Sequence, residues 1–185
     1  MSDLDILREM IADSAIIPPT VQYGKGVVVL DEPGAPDSSV KISDLPHECI
    51  VIKADKFKSP DTIFTEQRGA RKRADYIVIA EVNSETVVIY IELKRNKGRA
   101  FEVSQQLAGA KCFISYCTEV GRLFWQELDF LKRAKHRFVS VAHTSPSKQP
   151  TRIERSAVLH DSPERPLKVS WARNLWFNHL ASVNG

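Results

Sequence analysis

Long apolar runs are missing from this chain: nothing approaches the roughly 18 consecutive apolar residues that span a bilayer as a helix, so no membrane-spanning helix is expected. The opening MSDLDILREM has neither a basic stretch nor an apolar one, which predicts no signal peptide. Cysteine is scarce. The three present, Cys49, Cys112 and Cys117, are odd in number and show no framework spacing, so no disulfide scaffold is expected. These features together predict a reducing, cytoplasmic setting. No Walker loop, dinucleotide fingerprint or nucleophile elbow occurs, and there is no internal repeat or low-complexity tract. What remains is an ordinary globular mixture of 185 residues, 43% hydrophobic and 26% charged, enough for one compact domain with a core of its own.

The net charge of +3 conceals an uneven distribution. Residues 1–48 hold nine acids against three Lys or Arg, residues 68–99 eight Lys or Arg against four acids, and residues 130–156 seven against one. Clustered cations attract phosphates and release counterions, so this polarity suits a polyanion-binding face; it equally suits a solvated surface.

Periodicity orders the elements. Leu4, Leu7 and Ile11 predict an amphipathic opening helix, and residues 17–46, rich in Pro, Gly, Asp and Ser, a loop around a short strand Gly26–Leu30. Cys49–Ala54 is a strand. Asp75–Val82 and Thr86–Leu93, separated by a turn at Asn83, Ser84 and Glu85, make an antiparallel hairpin. Val103, Leu107, Ala110, Ile114 and Cys117 mark the buried stripe of a helix over 99–118. A second helix is predicted over Arg122–Lys135, then a strand Phe138–Ala142, a loop Thr144–Pro150, a strand Leu167–Trp171 and a helix near Asn174–Leu180. The order predicts a mixed α/β domain on one central sheet flanked by helices.

Three residues stand out as candidates for chemistry. Asp75 opens one hairpin strand, and Glu92 and Lys94 end the next, two apart and therefore on one face. That face also holds Thr86, Val88 and Tyr90 and reads as mixed, while Val87, Ile89, Ile91 and Leu93 form the core face. Closing the hairpin brings Asp75 towards Glu92. Two adjacent carboxylates are held ionised by a shared cation, and Mg²⁺ takes one or two carboxylates while keeping water and phosphate. A neighbouring lysine orients water and stabilises charge building on phosphorus. The competing reading is a charged pair that protects a strand edge.

The stretch RADYIVIAEVNSETVVIYIELKR, followed by a helix containing SQQL, resembles the PD-(D/E)xK nuclease superfamily, which includes restriction enzymes, Holliday-junction resolvases and RecB-like nucleases. The likeness covers residues 49–142, about half the chain, with Ala74 where a proline is expected before the aspartate. It implies a restriction-endonuclease-like core with N- and C-terminal extensions. It implies Asp75 and Glu92 as ligands of Mg²⁺ (or Mn²⁺), the Leu93 carbonyl as a third ligand and Lys94 as the catalytic lysine. Gln106 falls where the RecB-like branch has its glutamine, with Gln105 as the fallback. An additional acid is common in the family, and Glu9 and Glu66 are the candidates. The implied activity is hydrolysis of DNA leaving a 5′-phosphate, with RNA left open as a substrate, no membrane partner, and a homodimer or a larger defence or repair complex as the assembly. The alternative is a non-catalytic nucleic-acid- or protein-binding module on the same fold.

Arg68, Arg71, Lys72 and Arg73 precede Asp75, and Arg95, Lys97 and Arg99 follow Lys94, so both clusters flank the expected site and suit a phosphate backbone. Lys132, Arg133, Lys135 and Arg137 extend that track or cap a helix end. His47, Cys49, Cys112 and Cys117 lack a zinc-knuckle spacing and read as packing residues. His143, His160 and Asp161 lie in no motif. Trp125, Trp171 and Trp176 stack on bases or anchor the core.

Overall fold

A computed structural model describes residues 1–32, 39–57, 62–94, 99–142, 159–170 and 174–182. Arg95, Lys97, His143, the loop 144–150 and Trp171 lie outside the described residues. The chain is mixed α/β, as its periodicity predicts, but it carries two sheets rather than one.

The larger sheet is built from β4 (Cys49–Lys53), β5 (Tyr76–Val82), β6 (Glu85–Lys94), β7 (Lys135–Ala142) and β8 (Leu167–Ser170), in that order. Pairing is antiparallel from β4 to β6 and parallel from β6 to β8. The expected hairpin is present. Asn83 and Ser84 both take positive φ, 51° and 62°, the backbone of a two-residue turn whose twist matches the flanking strands. Glu85 joins the strand, paired with Val82, instead of the turn.

Parallel pairing of β6 with β7 demands a crossover, and α2 (Ala100–Phe124), about 37 Å long at helical rise, supplies it. Its predicted stripe of Val103, Leu107, Ala110, Ile114 and Cys117 is buried against the sheet face formed by Ile50, Ile52, Ile77, Ile79, Val88 and Tyr90. The opening helix α1 (Asp3–Met10) adds Leu4, Ile6 and Leu7 to that layer. A capping box starts α1: Asp5 N donates to Ser2 Oγ, and Ser2 N donates back to the Asp5 carboxylate, each at 3.2 Å.

The second sheet corrects the loop expected over residues 17–46. It runs β1 (Thr20–Gln22), β2 (Lys25–Asp31), β3 (Ser39–Leu45) and β9 (Leu175–Trp176), antiparallel except for β3 with β9. Val28, Leu30, Val40 and Ile42 from this sheet, with Phe177, Leu180 and Ala181 of α3 (Phe177–Ala181), cover Val51, Tyr76, Val78, Val87, Ile89, Ile91 and Leu93 on the other face of the larger sheet. β6 is therefore buried on both sides, and Val88 and Tyr90 lie in core rather than on a mixed surface.

The helix predicted over Arg122–Lys135 does not form. α2 ends at Phe124, Gln126 turns to φ 58°, and Phe130 folds back against Gly121, where a β-carbon would sit 2.2 Å from the Phe130 ring. Helical continuation would pull Phe130 and Leu131 out of the core they fill. Among the described residues no helix is long and apolar enough to cross a membrane.

Candidate active site

Asp75 lies one residue before β5, and the register Tyr76 to Ile91 places it opposite Glu92. Its main chain is fixed by Ala54 N, which donates to Asp75 O at 2.8 Å, and its Oδ2 accepts from Leu93 N at 2.8 Å. Strand alternation puts Asp75, Glu92 and Lys94 on the α2 side of the sheet, with Ile77, Val88 and Tyr90. The N–H and C=O of one strand residue leave by the same edge, so the Leu93 carbonyl opens towards the Asp75 side, beyond the end of the β5 ladder.

Glu92 is fully enclosed: its side chain is 1% exposed, against 29% for Lys94, whose ammonium lies 2.6 Å from Glu92 Oε1. Glu92 Oε2 is buried with no side-chain partner among the described residues, and the Asp75 main-chain N–H favours the ionised carboxylate. Burial, then the neighbouring Asp75 charge, pushes the Glu92 carboxyl up to about 8 against the pull of Lys94. Burial also raises Asp75, to about 6; the Leu93 N–H and Lys94 oppose that rise, and the charges of Asp55 and Glu32 add to it. Neither Asp55 nor Glu32 stands out in the sequence, because both reach the site through folding, one after β4 and the other after β2.

Once both carboxyls are ionised, one lysine leaves net negative charge in a poorly hydrated place, which a divalent cation would balance. No group of three or more His, Cys, Asp or Glu side chains forms a ready cage among the described residues. Two carboxylates and a main-chain carbonyl suit Mg²⁺, which keeps several waters.

Gln105 is the one engaged: Lys72 Nζ donates to its Oε1 at 2.9 Å, while Gln106 lies half-buried beside it on α2. The basic loop is partly spent on its own architecture. Arg71 pairs with Glu66 at 3.0 Å, and Arg73 donates to the carbonyls of Lys72 and Ala70 and lies 5.5 Å from the Phe57 ring centre. Arg68, in a short 3₁₀ turn, and Arg99, which caps the start of α2, are exposed. Of the two candidates for an additional acid, Glu9 accepts from Trp125 Nε1, and Glu66 is exposed and paired with Arg71.

The second basic cluster lies elsewhere. Val87 faces Lys135 and Lys94 faces Ala142, so Lys135 is seven residues, about 23 Å, from the site end of the sheet. Lys132 pairs with Asp129 and Lys135 with Glu85, while Arg137 is buried and donates to Ala181 O at 3.0 Å. Cys117 and Cys49 belong to cores on opposite faces of the sheet, which separates any zinc set drawn from them. His160 is structural, with Nε2 2.7 Å from Leu180 O, and Asp161 pairs with Arg165. Trp176 is half-exposed, with Lys25 Nζ 6.0 Å from its ring centre.

One row was not visible in the sequence. Glu92 is paired with Ser140, and Ser140 with Lys168, so these three side chains share the α2 face across β6, β7 and β8. Parallel pairing between segments so distant in the chain leaves no local signal. No family model, no curated protein and no solved structure matches this chain.

Proposed function

We propose that this chain is a Mg²⁺-dependent deoxyribonuclease of the PD-(D/E)xK type, on a restriction-endonuclease-like core, cleaving phosphodiester bonds to leave a 5′-phosphate. Mn²⁺ is an alternative ion, DNA the partner, the cytoplasm the location and a homodimer or a larger defence or repair complex the assembly in this reading. The observation that carries it is the meeting of Asp75, Glu92 and Lys94 on one face at adjacent strand ends, with the Glu92 carboxyl buried. Asp75, Glu92 and the Leu93 carbonyl would hold the cation, which when bound neutralises charge on the phosphate and makes water a better nucleophile.

The chain's own residues do the rest. Lys94, half-buried beside Glu92, presents its ammonium where attacking water and phosphate oxygens meet, orienting the first and stabilising charge on the second. The Leu93 N–H holds Asp75 Oδ2, which leaves the other carboxylate oxygen for the cation. Lys72, steadied by Gln105, and exposed Arg68 stand at the start of β5, where a backbone would approach.

The deciding experiment incubates labelled single-stranded, duplex and branched DNA, and RNA, with Mg²⁺, Mn²⁺ or EDTA. Metal-dependent cleavage that falls at least about 10²-fold in Lys94→Ala supports the reading. Binding of DNA with no cleavage under any metal turns the assignment to a non-catalytic module, a reading favoured by the internal pairing of Arg71, Lys72 and Arg73.

A further inference from the structure

Charge changes sign along the row that crosses the larger sheet. Asp75 stands just before β5 and Glu92 on β6, Ser140 follows on β7, and Lys168 closes the row on the edge strand β8. Alternation places all four on the α2 face, because their neighbours Tyr76, Leu93, Val139, Val141, Leu167 and Val169 pack on the opposite side. Ser140 is buried and Lys168 is exposed. Lys168 makes no ion pair with a described residue, unlike Lys132, Lys135 and Arg165, each held by a carboxylate.

Adjacent strands lie about 4.8 Å apart, so Lys168 sits about 10 Å from Glu92 across two strands. A lysine side chain shortens that gap by several ångströms. The remaining separation suits the next phosphates along one nucleic-acid strand, which recur every 3.4 Å or so along the helix axis. A lone lysine on an edge strand also protects against edge pairing. Here it stands in the row of the two carboxylates, at the end of the sheet that holds them.

We propose that Lys168 is a substrate-binding residue. It contacts a backbone phosphate one or two nucleotides from the scissile one, so that the nucleic-acid strand runs across the sheet from β5 towards β8. This rests on the nuclease reading for the position of the scissile phosphate, but its test does not need cleavage.

The test measures binding of a fluorescent single-stranded and duplex DNA by anisotropy in EDTA, over a series of salt concentrations, for the full chain. Lys168→Ala is expected to weaken binding about 3- to 10-fold and to lower the salt slope by about one, the signature of one lost phosphate contact. Lys168→Arg should restore both. Lys132→Ala, at the opposite end of the sheet, should change neither. If wild type cleaves, Lys168→Ala should raise KM with kcat within about twofold of wild type. Unchanged affinity and slope in Lys168→Ala would overturn the proposal, as would an equal loss in Lys132→Ala. Cleavage by wild type with a silent Lys168→Ala defeats this inference alone; Lys168-dependent binding without cleavage by wild type defeats the nuclease reading alone.

Discussion

At Glu92, enclosure and the Asp75 charge both favour the protonated carboxyl, and the Lys94 ammonium opposes them. The folded chain holds this proton up to about pH 8, whereas the unfolded chain releases it near its ordinary value of 4.5. Asp75, raised to about 6 from 3.8, acts in the same sense over a lower window. Between these limits the folded state binds more protons than the unfolded one, so metal-free stability falls as pH rises. In EDTA the melting temperature should therefore drop between about pH 5 and about pH 8, and Glu92→Gln should flatten most of that slope. Bound divalent cation should reverse the trend, because it requires the deprotonated carboxylates. A melting temperature in EDTA that is constant over this range would remove the electrostatic basis of the site.

Among the elements, the basic loop and α2 are joined at their backbones. A β-carbon on Gly109 would lie 1.8 Å from Lys72 O and 3.1 Å from an Arg73 guanidinium nitrogen. Gly109→Ala must therefore lift the loop from the helix, with an expected loss of about 1–3 kcal/mol. Weaker DNA binding should accompany it, since Lys72 and Arg68 ride on that loop. An unchanged melting temperature would show that the loop docks elsewhere. The same junction shows what the sequence disclosed and what it hid. The hairpin, the α2 stripe and the D…ExK spacing are local patterns of period 2 or 3.6, and each was legible. That Gln105 rather than Gln106 holds Lys72 depends on how α2 is rotated over the sheet, which no spacing reports. The helix expected after Arg122 failed because Phe130 answers to Gly121 and the core rather than to its own periodicity.

At the scale of the whole molecule, the segments flanking residues 49–142 are structural parts of the fold rather than appendages. Residues before Cys49 supply α1 and the first three strands of the smaller sheet, and residues after Ala142 supply β8, β9 and α3. Their absence would strip Leu4, Ile6 and Leu7 from one face of the larger sheet. The other face would lose Val28, Leu30, Val40, Ile42, Leu175, Phe177 and Leu180. A sheet buried on both sides shows long apolar runs, and exposing one whole face leaves a contiguous patch of the kind that drives aggregation. A fragment of residues 49–142, although it contains Asp75, Glu92, Lys94 and Gln105, should therefore be insoluble or bind a hydrophobic dye strongly without a cooperative melt. Phe177→Ala in the full chain tests the same packing more gently. It removes a fully buried ring between the two sheets and should cost about 3–5 kcal/mol, read from denaturant unfolding. A soluble, cooperatively melting 49–142 fragment would instead make the second sheet a separable addition and reduce the folding unit to the stretch that carries the site.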